Sequence, residues 1–170
     1  MISLANEMTK SDIKKIEEEI EYRKVVVRKE AIEAVKEARA HGDLSENFEY
    51  YAAKRDKNKN ESRIRYLERL VKNAVIIEDD TKDDEVGLFS IVDLYFEEDD
   101  ELVTVKLVTS IRGDSMKGNI SIDSPLGNAI KGHKVNDRIF IKVSDSYGYY
   151  VVIKNIKRTT DDGTDEIRSY

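Results

Sequence analysis

From Ile13 onward, apolar residues recur three and four positions apart: Ile13, Ile16 and Ile20, then Val27, Ala31, Ala34 and Ala38, with one slip near Arg23–Lys24. A second series keeps the same spacing through Ala53, Lys57, Asn60, Ile64, Leu67, Val71 and Ala74, with two polar members. Narrow stripes with highly charged flanks predict the two arms of an antiparallel coiled coil; two amphipathic helices in a globular core are the other reading. Between the stripes lies His41-Gly42-Asp43-Leu44. Gly42 suits the position just past a helix end, because a residue without Cβ adopts positive φ at no steric cost. Folding the chain there sets Ile13 opposite Ala74, Ile20 near Leu67 or Val71, and Ala38 near Tyr50 or Ala53. Arms of roughly 30 residues would each extend ~45 Å, with the turn remote from other mass. Thr9-x-x-Asp12 or Ser11 can cap the first helix.

After residue 78 the period changes to two. Residues 79–85 are an acidic linker, Asp-Asp-Thr-Lys-Asp-Asp-Glu. Strands are expected over Leu88–Phe96, Leu102–Thr109, Asn119–Ile122, Arg138–Val143 and Tyr149–Ile156, all rich in Val, Ile, Tyr and Phe and separated by polar turns. Pro125–Ile130 predicts one short helix, with Ser124 as N-cap, Pro125 at the first helical position and Gly132 after its end. The fold class is therefore α+β: an N-terminal helical hairpin over 1–78, its tip at 42–47, then an antiparallel sheet domain over 86–158. The polar tail, 159–170, is expected to be loose.

Composition narrows the class. Of 170 residues, 38% are charged, one is proline and none is cysteine. Disulfides and thiolate metal sites are excluded, and a reducing cytoplasmic setting is expected. The N-terminus does not read as a signal peptide, and no apolar run approaches a membrane span, so no membrane partner is expected. A net charge of −6 argues against a stand-alone duplex-binding protein. The charge is uneven: residues 1–78 carry 17 Lys/Arg against 16 Asp/Glu, residues 79–170 carry 12 against 19, and residues 52–72 carry 8 against 3. A hairpin that satisfies its own seam suggests a monomer.

Asp43 and Glu46 stand three apart where the second helix is expected to begin. Asp-x-x-Glu reads locally as a capping box, with Asp43 as N-cap and Glu46 at the third helical position, and acids there suit the helix dipole. The other reading is chemical: two carboxylates at a remote tip, with Leu44 and Phe48 exposed beside them for a partner to receive. The basic second helix, with Lys54, Arg55, Lys57, Lys59, Arg63 and Arg65, is either a solvated flank or an attractor of a nucleic-acid backbone, a role Arg39 and His41 can share. His41 also suits a helix C-terminus on dipole grounds.

Ala38-Arg-Ala-His-Gly-Asp-Leu-Ser-Glu-Asn-Phe-Glu-Tyr50, followed by Ala52-Ala53-Lys54, resembles the tip signature of the Gre family of bacterial transcript-cleavage factors. Ser124-Pro-Leu-Gly-Asn-Ala-Ile130-x-Gly132, with Asp137 after it, resembles the family's C-terminal domain. The resemblance covers nearly the whole chain. It implies an FKBP-like fold for the second domain, which would dock at the rim of the RNA polymerase secondary channel through Ser124, Pro125 and Leu126. The hairpin would enter that channel and stimulate the polymerase's own endonucleolytic cleavage of a backtracked nascent RNA 3′ end; the chain would not be an enzyme alone. Phosphodiester hydrolysis favours two divalent ions ~3.5–4 Å apart. The resemblance assigns Asp43 and Glu46 to a second Mg²⁺ shared with polymerase and not held tightly by the free factor. Ser45, Asn47 and Tyr50 would support them, with Glu49 one turn from Glu46, and Arg39, Lys54, Arg55, Lys57 and Arg63 would face RNA.

The sequence departs from the family pattern at Phe48, where a small residue is usual, and at Tyr51, where histidine is frequent. It also lacks a proline often found after the residue matching Arg28, and its linker and tail are unusual. Rival readings are a channel-binding regulator that inhibits without cleavage, a peptidyl-prolyl isomerase or chaperone, and a coiled-coil adaptor.

Overall fold

The computed structural model describes residues 7–42 and 47–169. They divide into two compact units, one formed by Ser11–Ala74 and the other by Glu7–Lys10 with Val75–Ser169.

The first unit is an antiparallel helical hairpin. Its outgoing arm is α1 (Lys10–Tyr22), a π-helical segment (Arg23–Val27) and α2 (Arg28–Ala40); its return arm is α3 (Phe48–Lys72). The slip in the apolar stripe takes the form of that π-helical segment. The Arg28 amide donates to the Arg23 carbonyl, five residues back instead of four. One residue inserted into an α-helix advances the following side chains by about 100°. The seam then resumes with Val35 and Ala38, both buried. Ala34, expected in the seam, is exposed, because the phase beyond the π segment turns the larger Val35 inward.

Opposite the π segment the seam is polar. Asn60, 5% exposed, donates its amide to the Arg23 carbonyl (3.3 Å) and accepts from Arg23 Nη1 (3.1 Å). Glu19 accepts from Arg23 Nε (2.8 Å) and from Arg63 Nε (3.0 Å) and Nη2 (3.3 Å). Arg28 forks onto Glu61 at 2.7 and 2.9 Å, and Lys24 reaches Glu68 at 2.6 Å. Apolar closure comes from Ile16, Ile64 and Leu67, at most 2% exposed. A polar layer inside a coiled coil costs burial energy and fixes register, because sliding the arms would strand its members.

In the second unit, β1 (Glu7–Met8) pairs in parallel with β2 (Val75–Ile76). A five-stranded sheet follows, in the order β5-β4-β3-β7-β6. Its strands are β3 (Ile91–Phe96), β4 (Glu101–Val108), β5 (Asn119–Ser121), β6 (Arg138–Lys142) and β7 (Gly148–Lys157). All neighbours are antiparallel except β4 and β5. β3 starts three residues later than its sequence pattern suggests, because Gly87–Ser90 closes a turn: the Ser90 amide donates to the Gly87 carbonyl (3.2 Å) and Ser90 Oγ accepts from the Gly87 amide (3.0 Å). The core joins alternating sheet residues such as Val92, Leu94, Leu107, Ile141 and Ile153 to Ile130 of the helix α4 (Pro125–Ile130).

The acidic segment 79–85 is fastened to this unit. Asp79 accepts from the Leu88 amide and from Arg158, and Arg158 also reaches Thr81 and the Glu85 carbonyl. The tail, expected to be loose, is instead strapped down. Thr159 donates to the Phe89 carbonyl, Asp161 pairs with the fully buried Arg112 (2.7 Å), Asp165 accepts from Lys106 (2.6 Å) and Asn119 (3.0 Å), and the Arg168 amide donates to the Ile111 carbonyl (2.7 Å). Its polar composition suggested solvation, but those carboxylates compensate cations that the sheet unit has already buried.

Candidate functional site at the hairpin tip

α2 ends at Ala40, with His41 as C-cap, and Gly42 follows at φ +125°, a backbone state that strains any residue with a Cβ. On the return side α3 begins at Phe48. Its N-cap is Asn47, in extended conformation (φ −88°, ψ 92°), whose Oδ1 accepts from the Tyr50 amide at 3.0 Å. The same side chain donates Nδ2 to the Ala38 carbonyl at 2.6 Å, adding a second donor to a carbonyl at the end of α2 that also accepts from the His41 amide (3.3 Å). Two further links cross the same gap. His41 Nδ1 lies 2.8 Å from Glu49 Oε2, and the Arg39 guanidinium sits 5.6 Å from the Tyr50 ring centroid. The Arg39 hydrogen bond to the Tyr50 hydroxyl holds that phenol below its usual pKa, and the charges of Lys54 and Lys57 act in the same direction. The last turn of α2 and the first turn of α3 are thus clasped by Asn47, His41–Glu49 and Arg39–Tyr50.

This geometry corrects the capping reading. The helix starts after Glu46, and the cap is Asn47. Asp43, Leu44, Ser45 and Glu46 lie outside the described residues, in the connection that the clasp closes. Asn47 and Tyr50, expected to support the acids, have definite structural partners on α2. Glu49 is engaged by His41.

The expected RNA-facing cations separate into two groups. Arg39, Lys54 and Arg55 are exposed and Lys57 is half-buried. Arg63 is not part of that set: it is 9% exposed, turned into the seam onto Glu19, and lies 5.4 Å from the Tyr66 ring centroid. Its place in a basic run hid this, because charge counting along a helix does not say which cation faces the partner arm. Burial raises the Glu19 carboxyl pKa, but Arg63 and Arg23 outweigh it, and the net shift is downward.

The second signature forms as expected. Ser124 Oγ accepts from the Gly127 amide (3.0 Å) as the N-cap of α4 and donates to the Ser121 carbonyl (2.6 Å); Pro125 occupies the first turn. Pro125 is exposed and Leu126 half-buried. Gly127 is buried so close to the Ser121 carbonyl oxygen that a methyl group there would collide with it. Ser110 Oγ donates to Asp123 and lies 3.0 Å from Ser121 Oγ, which anchors the loop from below. Among the described residues no group of three or more His, Cys, Asp or Glu is placed to hold a metal ion, and no helix is long and apolar enough to cross a membrane.

The described residues thus form a two-part protein: a clasped helical hairpin followed by a mostly antiparallel sheet with one capped helix. The family model for the transcription elongation factor N-terminal region matches residues 6–76, and the model for the GreA/GreB C-terminal region matches residues 80–158. The chain belongs to this family. Transcription elongation factor GreA of Thermoanaerobacter pseudethanolicus is 44% identical over 137 residues, covering 80% of this chain and 87% of that protein. GreA of Clostridium beijerinckii is 42% identical over 147 residues, covering 86% and 92%. Among solved structures, GreA factor homolog 1 (Gfh1) of Thermus thermophilus aligns over 89% of this chain and 98% of its own, at 25% identity and a TM-score of 0.41.

Proposed function

We propose that this chain acts on RNA polymerase through the secondary channel. It stimulates the polymerase's own cleavage of RNA extruded by backtracking, and so returns arrested complexes to elongation. Family membership supports the partner and the process. The observation that carries the chemical reading is the cap of α3. Because Asn47 fills that role, Asp43 and Glu46 are not needed to start the helix, and the local stability argument for two acids at this point falls away.

Their donor chemistry fits Mg²⁺. Carboxylate oxygens are hard ligands, and Asp43 and Glu46 would hold the ion together with further oxygens from polymerase, RNA phosphate and water. Such an ion would supply Lewis-acid stabilisation of charge developing on the scissile phosphodiester. Within this chain, Asp43 and Glu46 bind and orient. The clasp of Asn47, Glu49 and Tyr50 holds the ends of their loop at a fixed separation, which limits the freedom lost on reaching a productive geometry. Arg39, Lys54, Arg55 and Lys57 attract the RNA backbone. Ser124, Pro125 and Leu126, set by the α4 cap, dock on polymerase.

The test is gel analysis of RNA from backtracked complexes in Mg²⁺, with and without the protein. The parent should shorten the RNA from its 3′ end and Asp43→Ala should not. Equal cleavage by the two proteins sinks the reading. Binding without cleavage by the parent favours a channel inhibitor instead.

A further inference from the structure

Phe48 and Tyr51 are 85% and 48% exposed in the first turn of α3, beside the acidic connection. Three residues apart on a helix, they share a face. The Tyr51 ring is tilted against Tyr50, with centroids 5.5 Å apart, which limits its orientations. Immediately behind it, on the same side of α3, runs an open strip of surface formed by Tyr51, Lys54, Arg55, Asn58, Lys59 and Ser62: three cations and no acid. Arg65 extends the cationic side by donating to Ser62 Oγ at 3.1 Å.

This combination selects one class of occupant. The core of a protein–protein interface is depleted of charge, so a cation-rich strip abutting the aromatics disfavours a protein partner. Grooves for single-stranded nucleic acid pair stacking aromatics with cations that track the backbone. We propose that Phe48 and Tyr51 form a stacking platform for unpaired RNA bases, with Lys54, Arg55 and Lys59 following the phosphates. The inference draws on the reading above for the source of the RNA, an extruded 3′ segment, but binding at this face is separable from cleavage. One ring face accepts any base, so the platform holds RNA of any sequence.

The test exploits a chain with no tryptophan. Full-length Phe48→Trp carries a single indole, titrated at low ionic strength with a short oligouridylate, with duplex RNA of the same strand length, and with inorganic polyphosphate. Oligouridylate alone should quench the indole. No quenching, or equal quenching by polyphosphate, overturns the proposal. In competition against that variant, replacing one aromatic by alanine in the otherwise wild-type chain should weaken oligouridylate binding roughly 5- to 150-fold, the range expected for one lost stack, and Phe48→Tyr should restore it. Exposed side chains of this kind are replaceable without unfolding the hairpin, which circular dichroism verifies. With polymerase, Phe48→Ala should raise the half-saturating factor concentration on backtracked complexes only. An equal rise on complexes without extruded RNA would assign the face to a protein wall and overturn the proposal. Quenching by a protein that stimulates no cleavage would refute the cleavage reading and leave the platform standing.

Discussion

Replacing Arg63 by alanine separates a structural cation from an RNA-facing one. The Arg63 side chain is 11% exposed, and its partner Glu19 is 25% exposed. The substitution removes two charged contacts, at 3.0 and 3.3 Å, and the cation–π contact of the guanidinium with Tyr66. Charged hydrogen bonds contribute about 1.5–3 kcal/mol, and a partly buried cation–π contact adds about 0.5–1. Glu19 keeps Arg23 at 2.8 Å, so the loss falls at the low end of the ~3–5 kcal/mol seen when a buried pair is broken, near 3 kcal/mol. Arg28, forked onto Glu61 with side chains 35% and 28% exposed, should cost less, because solvent screens that pair. The exposed Arg55 should cost less than about 0.5 kcal/mol. Thermal unfolding of the full chain, followed by helical circular dichroism, should give that ranking. For a unit of this size Arg63→Ala should lower the hairpin midpoint by roughly 12–24 °C. Well below the melting temperature, Arg63→Ala should stimulate cleavage as the parent does, whereas Lys54→Ala and Arg55→Ala should weaken it. An Arg63→Ala protein that melts like the parent yet loses RNA-dependent activity would refute the reasoning.

Other outcomes follow from the same geometry. Glu19 and Glu61 both have carboxyl pKa values held below the ordinary 4.5, so their contribution to stability is present above that value and is lost as pH falls through the folded values. Acid titration of the hairpin should therefore show a loss below about pH 4.5 that Arg63→Ala and Arg28→Ala reduce. Asn47→Ala removes the α3 cap and the link to Ala38, costing about 1–2 kcal/mol in denaturant unfolding and reducing cleavage at saturating factor. Asp161→Ala withdraws the carboxylate from buried Arg112 and should destabilise the sheet unit by about 3 kcal/mol, leaving the hairpin transition unchanged. Gly127→Ala should distort the α4 loop and raise the factor concentration needed for half-maximal cleavage, without lowering the maximal rate.

Periodicity carried most of the architecture. The two seams, the turn at Gly42, and α4 with its Ser124 cap, Pro125 start and Gly132 end all correspond to the observed elements, because each rests on local chemistry that a short window contains. The slip at Arg23–Lys24 was visible, but not its π-helical form, since that depends on Asn60 meeting the Arg23 carbonyl from the other arm. The same limit explains Arg63 and the tail. Whether a cation or an aspartate is solvated depends on what lies across from it, and Glu19 is 44 residues from Arg63 while Asp161 is 49 from Arg112. At the tip, Asp-x-x-Glu satisfied a capping pattern that Asn47 satisfies in the structure. The sequence reading places the cap at Asp43 and does not consider Asn47, whose capping role shows only once the Tyr50 amide has a partner.

The most direct test of the central claim is the Mg²⁺ dependence of single-turnover RNA cleavage in backtracked complexes, at saturating parent protein or saturating Glu46→Gln. The isosteric change keeps the size of the side chain and removes its charge. The account predicts that Glu46→Gln still binds polymerase but needs several-fold more Mg²⁺ for half-maximal cleavage and reaches a lower maximal rate. Superimposable Mg²⁺ curves for the two proteins would contradict it.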